Sequence, residues 1–282
     1  MSDIIVHEEQ ILKAEADRVT LRNNLRRQGI YCDDDETIGS LANKVANILT
    51  ANKLLVNKPA NLYIDETDVP ADWQIIYKQT NTVFCPNAKT FEGTFREIST
   101  QHVYIENVEN LYPRNYTSNQ DFSYNSNLQE LIIPKNINKN MTGSISTGTL
   151  KYCILPNTAP AYMFYNANSS IKIVDIYNAT SSLFRAGATG LELLIIRDKN
   201  AVVPLTNSGY VPNNTQIYVY EDILEGYKTA TNWSIHASNI NKIEGTIYED
   251  IYWYKDTDWY ANYLQVFKDA FGEDIFDEEE EE

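Results

Sequence analysis

Residues 128–137 read LQELIIPKNI, residues 150–159 LKYCILPNTA, residues 171–180 IKIVDIYNAT and residues 191–200 LELLIIRDKN. Aligning Pro134, Pro156, Tyr177 and Arg197 places Leu128, Leu150, Ile171 and Leu191 in one column and Ile133, Leu155, Ile176 and Ile196 in another. The period is about 20 to 23 residues, and each copy is a short β-prone apolar run followed by a turning segment. A unit this short cannot cover both faces of its own strand. Its apolar side chains leave water only if successive copies stack, so the period predicts a solenoid.

The array continues in both directions. TVFCPNAKTF around Pro86 and HVYIENVENL around Ile105 are earlier copies, followed by a Tyr/Asn/Ser-rich excursion, LYPRNYTSNQDFSYNSN; TQIYVYEDIL around Val219 is a later one. These units resemble the BspA-type leucine-rich repeats of bacterial and phage surface proteins, which read L-x-x-(x)-x-I-x-L-P. IYVYEDILEGYKTATNWSIHASNINKI is similar to the terminal segment of that family: a strand, a Y-K-x-A-x-x-W helix and a closing I-x-x-I. The resemblance spans about residues 80–243. It implies an α+β repeat fold, a leucine-rich-repeat-like β-solenoid of short strands, with an N-terminal helical segment and a C-terminal aromatic and acidic helix. The chain departs from the pattern where copies lack the proline and at Asp175, which stands where the other copies are apolar.

Residues 1–50 read as two helices. The first covers about His7 to Gln28 and stops at Gly29; the second covers about Thr37 to Leu49, with Ile38, Leu41, Val45 and Ile48 at helical spacing behind the acidic run DDDE. The wording LRNNLRRQGIYCDDDETIGSLANKVANI is similar to a segment near the start of phage tail, baseplate and fibre-associated proteins. A helical pair with one apolar stripe has to bury it on copies of itself, on a particle or on the solenoid. Polar residues interrupt both heptad seams of the first helix, which argues against a regular coiled coil.

Residues 51–80 read as a linker and N-terminal cap, with Val69-Pro70 interrupting helix formation. Residues 81–243 are the expected solenoid. Residues 244–282 carry ten aromatic rings between Tyr248 and Phe276 and end in an acidic run. Trp259, Tyr263, Phe267 and Phe271 recur every four residues, an apolar helical stripe with Asp256, Thr257 or Asp258 as N-cap. This segment reads equally as a cap on the last repeat or as a docking element. Leu21, Leu25, Leu41 and Val45 in the N-terminal helices and Trp253, Trp259, Tyr263 and Phe267 near the C-terminus are the expected partner-binding residues.

Composition narrows the function. The formal charge is −16, yet Glu244 to Glu282 hold fourteen acids and two lysines, a net of −12 that leaves −4 for the first 243 residues. This balance excludes nucleic acid as the main partner, which needs a basic patch. Twenty tyrosines against nine phenylalanines suit half-wet recognition surfaces. Cys32, Cys85 and Cys153 are far apart and read as buried thiols, and His7, His102 and His236 lack metal-ligand spacing. No nucleotide loop, zinc-binding helix or nucleophile elbow occurs, so neither an enzyme nor a cofactor is expected. The N-terminus lacks the pattern of a secretory signal, and no run is long and apolar enough to span a membrane. Together with the two resemblances, this implies a phage virion structural protein made in the host cytoplasm: a fibre-like or decorating component of head or tail. It would contact other virion proteins or a host receptor, and a homo-oligomer, a trimer by analogy with fibres, is expected. The alternative is a bacterial cell-surface adhesin of the same repeat type.

Overall fold

The computed structural model describes residues 2–27, 31–44, 61–69, 80–92, 100–112, 127–136, 148–157, 170–179, 188–207 and 210–276. Strands β7 (Glu130–Ile132), β8 (Tyr152–Leu155), β9 (Ile173–Ile176), β10 (Leu193–Ile196), β11 (Gln216–Val219) and β12 (Ile240–Lys242) form a six-stranded sheet in which each strand pairs with the next in sequence. All of these pairs are parallel. A parallel neighbour one repeat later requires the chain to return to the same edge every rung, so the fold is a stacked series of turns, a β-solenoid of about five turns.

Upstream, β1 (Asn61–Tyr63), β3 (Thr82–Phe84) and β5 (His102–Tyr104) pair in parallel, and β2 (Asp68–Val69), β4 (Thr90–Glu92) and β6 (Asn110–Tyr112) pair on a second side of the same rungs. The Gln129 N–H donates to Gln101 O at 2.9 Å, which carries the ladder from β5 to β7 across the long excursion. The first described rung begins at Asn61, within the stretch read as linker and N-terminal cap. Residues 61–69 supply the two strands of this rung, and Asp65, Glu66, Thr67 and Asp68 dilute its apolar signal in the sequence.

The register explains the repeat. Leu131, Cys153, Val174, Leu194, Ile217 and Ile240 are paired neighbours pointing into the coil, and Leu62, Val83 and Val103 continue that column upstream. Ile133, Leu155, Ile176 and Ile196 form the adjacent column, and Leu128, Leu150, Ile171 and Leu191 a third, all in one buried core. Removing each such side chain from water contributes roughly 1.5 to 3 kcal/mol, the term that drives stacking. Asparagines after the strands link rungs: the Asn107 Nδ2 donates to Pro86 O and the Asn157 Nδ2 to Pro134 O, each at 2.7 Å.

At one end, helix α1 (Ser2–Arg27) and the segment 31–44, helical from residue 38, cover the first rung. Arg26 is the anchor. Its guanidinium lies 5.0 Å from the Tyr63 ring centre, donates to Asp65 Oδ2 at 2.7 Å and to Cys32 O at 2.9 Å, while Arg27 pairs with Glu66. At the other end helix α2 (Glu221–Thr229) buries Ile223 and Tyr227, and Trp233 packs edge-on to Tyr227 with its Nε1 donating to Val203 O. The strand, helix and closing strand expected from the family's terminal segment are thus β11, α2 and β12.

Candidate binding groove and the face the chain covers itself

Alternate residues of each strand point out of the coil. On this outer face Tyr63, Phe84 and Tyr104 lead to Ile132, Ile154, Asp175, Ile195 and Tyr218. An exposed column of this kind would be an apolar binding surface. Here the chain covers it. After β12, two short 3₁₀ turns (Ile247–Glu249 and Trp253–Asp256) lead into helix α3 (Asp258–Phe271), which lies back along the sheet towards β1.

Thr257 caps α3 by accepting from the Tyr260 N–H, and Gly272 ends it at φ 124, a backbone conformation that side chains disfavour. Phe267 sits 5.3 Å from Phe84, Phe271 sits 5.8 Å from Tyr63, and Trp259 stacks on Tyr152 at 4.1 Å with the planes 11° apart. Each such ring pair adds about 0.5 to 1.5 kcal/mol beyond simple burial. Beyond Gly272 the strap reaches the opposite cap, where the Tyr31 hydroxyl lies 2.7 Å from Asp33 and 2.9 Å from Asp274. Many of the tyrosines read as a wet recognition surface belong to this internal interface.

Two buried acids fasten the strap. Asp175 is fully buried and accepts from Arg197 Nε and Nη2 at 2.7 Å each, and from the Trp253 indole at 2.8 Å. Burial pushes the Asp175 carboxyl up, and the Arg197 guanidinium and the indole oppose that shift. Glu106, after β5, accepts from the Tyr260 hydroxyl at 2.8 Å and from the Tyr254 hydroxyl at 3.3 Å. Burial raises its carboxyl to about 7, against the hydrogen bonds from Tyr260 and Tyr254 and the charge of Lys255. Both tyrosines are pushed well above their ordinary value by burial and by the charge of Glu106.

The expected partner-binding residues fall into two groups. Trp253, Tyr263 and Phe267 lie on the strap and are buried against the sheet, and Trp259 is half-buried on Tyr152, so all four take part in an internal interface. Leu25 and Leu41 are buried together with Cys32, with Leu21 packed beside them, in a small core that joins α1 to the segment after it. Val45 lies outside the described residues. These N-terminal leucines hold the helical pair together rather than presenting a free stripe.

Among the described residues a groove lies open at the strand ends, which sequence reasoning passed over. Its volume is about 300 Å³, and its floor runs across four consecutive rungs at Pro156, Tyr177, Arg197 and Tyr220. Three of these are the positions that align the repeat. Asn157, Asn200 and Lys199 form the rim, and Ile251 from the strap closes one side. The Lys199 ammonium sits 4.1 Å above the Tyr220 ring. The signal was present as the switch from proline to Tyr and Arg in later copies, but proximity of Ile251 depends on the strap's path.

Among the described residues no helix is long and apolar enough to cross a membrane, and no group of three or more His, Cys, Asp or Glu side chains is gathered as metal ligands. Cys85 and Cys153 are buried free thiols, and Cys32 is buried as well. No protein-family model, curated protein or solved structure matches this chain significantly.

Proposed function

We propose that this chain is a rigid, non-catalytic repeat scaffold of a phage virion, a fibre-like or decorating component of the leucine-rich-repeat type, held to its particle or to sister copies by helix α1. The observation that carries the attachment role is how little of α1 the chain itself uses. Among the helix side chains described, from residue 12 onward, the buried ones are Leu25 and Arg26 in the last turn, and residues 12–17 are all exposed. Leu12 is 71% exposed. The exposed run 12–17 spans about 9 Å of helix, and an isolated helical stretch is marginal in water without a packing partner. Packing on a second helix supplies that stabilisation, and a homo-oligomer does so with closed symmetry.

The solenoid suits the scaffold half of this role. Each rung contacts its neighbours, both ends are capped, and the outer sheet face is sealed by the strap, so the body is rigid and carries its binding chemistry at its edges. Many copies on one particle turn weak contacts into useful avidity. Immunogold labelling of purified particles with antibody to this chain tests the assignment. Label on head or tail supports it; label confined to the envelope of uninfected host cells contradicts it.

A further inference from the structure

We propose that Glu106 is a proton-operated latch for the strap: protonated, it holds the corner between the second 3₁₀ turn and α3 against the sheet, and ionised, it lets α3 lift from the outer column. Glu106 is buried just after β5, and two hydroxyls close on it from the strap, Tyr260 at 2.8 Å and Tyr254 at 3.3 Å. Those two residues stand on either side of Thr257, where the 3₁₀ turn gives way to the helix. One carboxyl therefore holds both halves of the corner. The repeat explains why no counter-charge stands beside it. Counting on from the Phe84–Tyr104 pair puts Pro86 at the matching position of the preceding rung, and counting on from the Gln101–Gln129 contact puts Pro134 there on the following one. Proline offers a carboxylate neither a charge nor an N–H.

The groups that face the carboxyl are neutral or exposed. Tyr104 on β5 and Tyr263 on α3 face it together with Tyr254 and Tyr260, and Lys255 is the cation that reaches it. Lys255 is exposed and its ammonium lies 5.0 Å from the Tyr252 ring, so it compensates the carboxylate only in part. Among the described residues no Lys, Arg or His nitrogen forms an ion pair with Glu106. Asp175 makes the contrast. It too is buried under the strap, but Arg197 meets it at 2.7 Å, so that fastening keeps its counter-charge whatever the state of Glu106. Trp253 stays hooked on Asp175, and α3 is the part that lifts. The sign follows from burial. A buried carboxyl without a cation is held in its neutral form, here up to about 7, whereas an exposed one ionises near 4.5. Lifting α3 exposes Glu106 and releases its proton, so opening is opposed at low pH, becomes easier as pH rises from about 4.5 to 7 and levels off above 7.

Hydrogen exchange of the full chain, read by mass spectrometry from pH 5 to pH 9 and corrected for the intrinsic rate, tests the latch. The α3 amides are expected to exchange faster than those of β9 and β10 at every pH, because α3 opens without the rest of the fold. Their protection is expected to fall about 70-fold between pH 5 and pH 8. Glu106→Gln, which cannot ionise, should flatten that fall. Tyr260→Phe removes a hydrogen bond that favours the ionised form, so its fall should continue above pH 7; this variant decides the matter if the first does not fold. Exchange of α3 in step with β9 and β10 overturns the proposal, as does a pH-independent α3. So does an undiminished fall in Glu106→Gln, or one that still levels off at pH 7 in Tyr260→Phe.

Discussion

Asp175 and Arg197 sit on adjacent rungs and meet through two parallel hydrogen bonds of 2.7 Å on the outer face of the sheet, at side-chain exposures of 0% and 3%. Asp175 is flanked in register by Ile154 and Ile195. A carboxylate in an isoleucine column is stable only because the next rung supplies a fork-shaped cation and the strap supplies the Trp253 indole.

Replacing one partner leaves the other charged and buried. Asp175→Ile alone is expected to cost about 3 to 5 kcal/mol. The double change Asp175→Ile with Arg197→Tyr restores the column residues of neighbouring rungs and is expected to recover most of that loss, short of about 1 kcal/mol for the unpaired Trp253 indole. Urea unfolding of Asp175→Ile, Arg197→Tyr and the double variant gives the coupling directly. Additive losses in the double variant would show that the pair does not act as a unit.

Glu106 gives a pH dependence of unusual sign. Its folded carboxyl stands at about 7 against an ordinary 4.5, so the folded state binds more protons than the unfolded one between these values. Its contribution is fully favourable below about 4.5 and is lost as pH rises through 7, by roughly 3 kcal/mol at most. Glu106→Gln keeps an acceptor for Tyr260 and removes the titration. The stability difference between pH 5 and pH 8 should therefore shrink in the variant; an identical difference in both proteins would refute a buried, proton-binding Glu106.

The strap accounts for much of the cooperative fold. Phe267→Ala, at a fully buried ring between Phe84 and Tyr104, is expected to cost about 3 to 5 kcal/mol. Ending the chain after Thr246 should expose the outer column and produce strong binding of an apolar dye. A truncated protein as stable and as dye-silent as the full chain would mean that the strap is not held to the sheet.

The inner columns were legible from sequence because stacking demands the same apolar residue at the same rung position, and Ile133, Leu155, Ile176 and Ile196 obey that demand. The stripe of α3 was legible too, since Tyr263, Phe267 and Phe271 recur at helical spacing. What periodicity cannot state is the partner of an apolar face. The strap crosses the sheet between residues more than a hundred positions apart, such as Tyr260 and Glu106, and nothing local to either residue encodes that meeting. Asp175 stood out as an exception, but its partners are on the next rung and on the strap. The groove was missed for the same reason, because Ile251 reaches it only through the strap.

Assembly through the N-terminal part of α1 is the claim on which the functional account stands, and the mass of the protein in solution tests it most directly. Removing residues 1–17 takes away the exposed run 12–17 and leaves Leu25, Arg26 and the cap on the first described rung in place. Light scattering should give a multiple of the 32.3 kDa chain for the full protein and a monomer for the shortened one. A monomer in both cases, or the same multiple in both, would contradict attachment through α1.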